Sequence, residues 1–178
     1  MIGNTLLNKI VLERKITGAK AILTELDKEV KNSLKQHSHE ATKDGMDLAL
    51  CCVDRANSRV TYAAALRPLY HVREGELTEY APTKLPIGGF NYGEKKVFEE
   101  TEIQLGHNDM LYIFSDGYAD QFGGERGKKF MLKNFKILLS SIAHLELNAQ
   151  EEALRKSYND WKGKLDQVDD ALVVGIRL

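Results

Sequence analysis

Met110-Leu-Tyr-Ile-Phe114 running straight into Ser115-Asp116-Gly117 (MLYIFSDG), and Asp169-Asp170 opening the closing run Ala171 to Leu178 (ALVVGIRL), are the stretches on which the fold turns. Five unbroken apolar residues predict a strand buried on both faces, and a second such strand starts directly behind the acidic pair. Fifty-two residues lie between Asp116 and Asp169. If the two strands share a sheet, the end of one and the start of the other bring both carboxylates to the same sheet end. Carboxylates there suit hard divalent cations such as Mg²⁺ or Mn²⁺, and Gly117 lets backbone approach a ligand closely. Each signal has an ordinary reading beside it, because Ser-Asp-Gly and Asp-Asp also make plain solvated turns.

Working outward, the period changes twice. Leu6, Leu7, Ile10 and Val11, then Ile22, Leu23, Leu26, Val30 and Leu34, recur at helical spacing and predict two leading helices, with Thr17 as N-cap of the second. His37 to Gly45 reads as a polar loop. Period-2 segments follow at Asp47–Asp54 and Arg59–Leu66 around Ala56-Asn57-Ser58, and at Leu69–Arg73 and Leu77–Tyr80 around Glu74-Gly75-Glu76, which predicts an antiparallel meander. Lys84 to Gly93 is a Pro/Gly loop, and Lys96 to Leu105 alternates before the buried strand. Two further helices are expected near Lys128–Ala143 and Ala149–Gly163, the second with Asn148 and Glu151 as a capping box. Helices, strands, helices and a last strand give an α+β class with antiparallel sheets flanked by helices, read as a single domain over 1–178.

Composition narrows the function. The 178 residues are 43% hydrophobic and 29% charged, with 25 Lys+Arg against 26 Asp+Glu, so no basic field invites nucleic acid. No apolar run approaches the roughly 18 to 20 residues a membrane span needs, and no signal segment is expected. Cys51 and Cys52 are adjacent and point to opposite faces of a strand; they read as small hydrophobes in a reducing, cytoplasmic setting, with no catalytic role. His37 and His39 lack the companions a metal site needs. No P-loop, G-x-S-x-G elbow, GxGxxG or HExxH is present. The stretch FSDGYADQFGGERGKKF adds Asp120, a mobile Gly123-Gly124 pair, Arg126, Lys128 and Lys129, with Lys133 and Lys136 beyond. It reads either as a phosphate-binding lid or as a loop followed by a solvated helix face.

Taken together, DLALCCVD (47–54), YAAALRPLY (62–70), LPIG (85–88), LYIFSDGYADQFGG (111–124) and QVDDALVVGIRL (167–178) resemble the PPM-type metal-dependent serine/threonine protein phosphatases in their bacterial SpoIIE/RsbU branch, over the whole chain. The resemblance implies an αββα sandwich and hydrolysis of phosphoserine or phosphothreonine by a metal-activated water between two Mn²⁺ or Mg²⁺ ions. It assigns metal ligation to Asp116 and Asp169, with no catalytic residue beyond the ligands and a loop or substrate role open to Gly117, Asp120, Lys128 and Lys129. It implies a phosphorylated anti-anti-sigma-like regulatory protein as substrate, sigma-factor partner switching as context, and an upstream sensor domain. Leu172 departs from the family's Thr or Ser, which implies altered packing rather than lost ligation. The family's early aspartate and DxTGHG-like loop have no counterpart here, so the chain is expected to be an N-terminally truncated domain, inactive or weak alone and self-associating through strand edges or leading helices. The alternative is a catalytically dead partner-binding or dimerisation module of the same fold.

Overall fold

The computed structural model describes residues 2–34, 44–89 and 96–177. His37, His39, most of the expected 37–45 loop and the 90–93 end of the Pro/Gly loop lie outside them. In chain order the elements are α1 (Ile2–Asn8), a π-helical turn (Lys9–Glu13), α2 (Ala19–Ser33), β1 (Gly45–Met46), β2 (Leu48–Asp54), β3 (Arg59–Ala65), β4 (Leu69–Arg73), β5 (Glu76–Tyr80), β6 (Ile87–Gly88), β7 (Glu100–Gln104), β8 (Met110–Phe114), α3 (Gly117–Asp120), β9 (Phe122–Gly123), β10 (Lys128–Lys129), α4 (Leu132–Ile142), α5 (Leu147–Lys162) and β11 (Val173–Arg177). The class is α+β with antiparallel sheets, as expected.

The chain groups into two compact units. The first holds residues 1–69 and 80–105, with the sheet β2-β3-β7. On β3 alternation sends Ala63 and Ala65 to the face that meets α2, where Ile22, Leu23, Leu26 and Val30 form the core with them. Alanines at those positions let the helix approach the sheet closely. Thr17 is not the N-cap of α2: the cap position is Gly18, and the amide of Lys20 is satisfied instead by Glu100 Oε2 at 2.8 Å, a partner distant in sequence. Asp27 is buried on α2, accepting from the amide of Gly88 at 2.9 Å and from Lys96 Nζ at 3.1 Å, while Lys31 pairs with its other oxygen at 2.7 Å. The LPIG segment is thereby tied to the helix. Burial in this unit pushes the Cys51 thiol up to about 12, which keeps it protonated at neutral pH.

The second unit holds residues 70–79 and 106–178, with the sheet ordered β11-β8-β4-β5. The expected continuous meander is therefore corrected: the chain changes sheets between β3 and β4, around Leu66 at φ 64° and Pro68 beyond it. β8 is central and buried, with Tyr112 opposite Tyr70 on one side and Gly175 on the other. Tyr70, Tyr112 and Phe114 face α4 and α5 in an aromatic core: Phe114 meets Tyr70 at 4.7 Å and Phe135 at 5.0 Å between ring centres, and Tyr118 meets Phe135 at 4.7 Å and Tyr158 at 5.2 Å. Lys128 and Lys129 do not begin a helix. They form β10, paired with β9, and α4 starts at Leu132 after Met131 at φ 75°. The capping box expected at Asn148 and Glu151 is absent too. α5 starts one residue earlier than Asn148, and Glu151 is spent on Arg155 at 2.7 Å.

Candidate functional site

β8 and β11 lie antiparallel in register Phe114↔Val173, which carries the residues after one strand alongside the residues before the other. Ser115 stitches them. Its amide donates to Leu172 O at 3.0 Å, its hydroxyl donates to Asp170 O at 2.6 Å, and the same Oγ accepts from the amide of Leu172 at 2.8 Å. Gly117 then presses against the acidic pair. A methyl group there would sit 2.5 Å from Asp170 O and 3.0 Å from Asp169 O, closer than atoms pack. Only glycine fits, because peptide backbone occupies the place of its side chain. Asp116 and Asp169 are therefore brought to one sheet end by backbone contact.

The turn expected at Ser115-Asp116-Gly117 is instead the start of a one-turn helix. Asp116 has helical backbone (φ −73°, ψ −22°), and its carbonyl accepts from the amide of Asp120 at 2.9 Å. Asp169 is exposed, and its Oδ1 accepts from the next amide, that of Asp170, at 2.7 Å. Asp120 and Lys129 pair with each other at 2.9 Å. Lys128 is exposed on β10, and Lys136 is turned to Glu79 at 2.6 Å. Gly123-Gly124 is not a mobile pair: a Cβ at Gly123 would fall 1.8 Å from Trp161 O, and the Gly124 amide donates to that oxygen at 2.8 Å. The stretch after α3 is a hairpin sealed onto α5 rather than a free lid.

Gln121 lies inside the LYIFSDGYADQFGG stretch, but no role for it is legible there. Fully buried, it donates through Nε2 to Phe122 O and Asp166 O, both at 2.9 Å, and accepts through Oε1 from Tyr158 Oη at 2.8 Å. In sequence it is only a glutamine between Asp120 and Phe122, and apart from Phe122 its side-chain partners lie 37 to 47 residues away. A cleft of about 570 Å³ opens beside this segment, lined by Gln167, Ala171, Leu172 and Gly175 and, from α5, Leu154 and Arg155.

The donor chemistry is that of a hard cation. Two aspartates just beyond the ends of paired strands, with backbone packed close at Gly117, fit one Mg²⁺ or Mn²⁺, which commonly takes one or two carboxylates and completes its shell with water or phosphate oxygens. Among the described residues no group of three or more His, Cys, Asp or Glu side chains is placed to hold a metal, so this set is short of what two adjacent cations need.

The family model described as Stage II sporulation protein E (SpoIIE) matches residues 4–178. The chain belongs to the SpoIIE family. Among solved structures, this SpoIIE-family chain is similar to the SiaA-PP2C domain of Pseudomonas aeruginosa, at 26% identity and TM-score 0.88, with 100% of this chain and 68% of that one covered. It is also similar to the PP2C phosphatase domain with a fragment of the regulatory domain of SpoIIE from Bacillus subtilis, at 20% identity and TM-score 0.71, covering 99% and 48%. A third likeness is to the PPM Ser-Thr phosphatase MsPP from Mycobacterium smegmatis, solved in complex with cacodylate, at 14% identity and TM-score 0.63, covering 99% and 80%. The last two show the fold alone, which is that of the PPM phosphatases. No curated protein matches the SpoIIE-family chain in sequence. No described helix is long and apolar enough to cross a membrane.

Proposed function

We propose that this chain supplies the Asp116/Asp169 side of a metal-dependent phosphatase site that hydrolyses phosphoserine or phosphothreonine on a regulatory protein of the anti-anti-sigma type. The observation that carries the reading is the packing of Gly117 on the Asp169-Asp170 peptides, which ties the two aspartates to one sheet end. Asp116, half-buried at the start of α3, and Asp169, exposed, would hold a divalent cation and orient it toward solvent and substrate. Mn²⁺ or Mg²⁺ bound there would supply charge against the phosphoryl oxygens and lower the pKa of a water. Ser115 fixes the spacing of the ligand segments, and Lys128, exposed on the hairpin, offers a cation for an anionic substrate.

A second reading, a partner-binding module without turnover, is favoured by the lack of a third clustered ligand among the described residues. Hydrolysis of a phosphoserine peptide in the presence of Mn²⁺ separates them. Under the first reading Asp116→Asn lowers turnover by more than the roughly 10- to 100-fold typical of outer-shell changes. Turnover that survives Asp116→Asn and Asp169→Asn unchanged would sink it; peptide binding with neither turnover nor Mn²⁺ binding selects the second. Among the described residues β11 is an edge strand, and exposed Val174 on it supports self-association of the chain.

A further inference from the structure

We propose that Gln121 is a positioning residue that sets where Asp169 stands relative to Asp116, an inference that rests on the metal-site reading above.

Asp169 lies on a stretch, residues 163–172, that is exposed and outside helix and strand. Such a stretch does not hold a ligand in place by itself. Downstream it is fixed by Ser115. Upstream the fixing group is Gln121, which takes Asp166 O at 2.9 Å with Nε2 and the amide of Val168 at 3.4 Å with Oε1. Gln121 also stands five positions after Asp116, at the end of the short helix that Asp116 begins. One side chain thus ties the approach to Asp169 to the element that carries Asp116.

The clamp is itself held rigid. The Tyr158 hydroxyl donates to Oε1 at 2.8 Å, and the acceptor-only Asp166 O facing Nε2 fixes which end of the amide faces which partner. The backbone oxygen of Gln121 accepts from Trp161 Nε1 at 3.0 Å and from the amide of Phe130 at 3.0 Å. Glutamine is the side chain that serves here, because Asp166 O needs a donor and the Val168 amide an acceptor from the same group. Glutamate lacks the donor and leucine lacks both. Ligand geometry depends on such supporting bonds, and their loss typically weakens metal binding about 10- to 100-fold.

The test titrates the chain with Mn²⁺ alone, reading the free-ion electron paramagnetic resonance signal, and in parallel follows amide hydrogen exchange over residues 166–170. Gln121→Leu is expected to weaken Mn²⁺ binding about 10- to 100-fold and to speed that exchange. Gln150→Leu is the control. Gln150 is equally buried in the same unit but bonds to Tyr112, Ala143 and Leu145, so its loss should leave both readouts within twofold. Should Gln121→Leu fail to fold, Tyr158→Phe removes one hydroxyl from the clamp and should move both readouts in the same direction. Unchanged exchange over 166–170 and Mn²⁺ affinity within twofold of the parent would overturn the inference, as would equal effects from the Gln150 control. If Asp116→Asn and Asp169→Asn also leave Mn²⁺ binding untouched, it is the metal-site reading that has failed, and faster exchange in Gln121→Leu then leaves Gln121 as a clamp with no cation to serve, which overturns the positioning role.

Discussion

A single methyl group at position 117 would collide with the carbonyl of Asp170, and backbone cannot swing aside as a flexible side chain can. Gly117→Ala should therefore displace the acidic segment. We expect a lower melting temperature and a loss of Mn²⁺ affinity together; a variant with parental stability and affinity would contradict the packing. The sequence marks Gly117 for close approach to a ligand; that it meets the Asp169-Asp170 backbone instead is not legible there, because the two segments lie some fifty residues apart. The role of Asp109 is not legible either, because its partners come from other strands and turns. Buried at the end of a turn, it takes Arg73 Nη2 at 2.6 Å, His71 Nε2 at 2.8 Å and the Gly106 amide at 2.8 Å. Burial alone would raise its pKa, but the bonds from Arg73, Gly106 and His71 outweigh it and hold the carboxyl at about 2. An unfolded aspartate titrates near 3.8. The stabilisation is thus complete above about pH 4 and drains away as pH falls through 2, a contribution on the order of 2 kcal/mol. Urea unfolding from pH 5 to pH 2 should show a steep loss in the parent that flattens in Asp109→Asn.

The β9–β10 hairpin offers a contrast between two glycines. Gly123 has Trp161 O where a Cβ would go, whereas Gly127, at φ 55°, has nothing within 4 Å. Alanine at 127 should cost only the left-handed backbone strain, about 1 to 2 kcal/mol. Alanine at 123 must part the hairpin from α5 and should cost clearly more by chemical denaturation; equal costs would show that the hairpin is loosely held. Elements with strong periodicity are legible from residue spacing alone. The stripe of α2 and the apolar run of β8 stand where spacing puts them. Helix starts at Thr17 and at Asn148-Glu151 depart from expectation for one reason: capping depends on which partners are near in space, and Glu100 and Arg155 claim the groups concerned. The sheet change after Ala65 is hidden from the sequence as well, since alternation tells a strand's faces but not its neighbours.

At the scale of the whole chain, the stripe of Ile22, Leu26 and Val30 is consumed in its own core, which leaves strand edges as the route for the proposed self-association. β11 is such an edge, and Val174 on it is 37% exposed. Sedimentation over a range of concentrations should show an associating species in the parent and a shift toward monomer in Val174→Lys, since an edge lysine disfavours strand pairing. A monomer throughout would refute that route. The family and the sheet end bearing Asp116 and Asp169 are readable from motifs; the clamp that holds that end is not, because Gln121 is defined by contacts made across some forty residues. One of those contacts has a practical consequence. Trp161 is the only tryptophan in the sequence, its ring lies 5.4 Å from that of Phe130, and its indole N–H is spent on Gln121 O. The chain thus carries its own dye at the seam between hairpin and helix, so that excitation near the indole band reads, without any label, how fast that seam closes when the protein is refolded and whether a cation added at the sheet end is felt there.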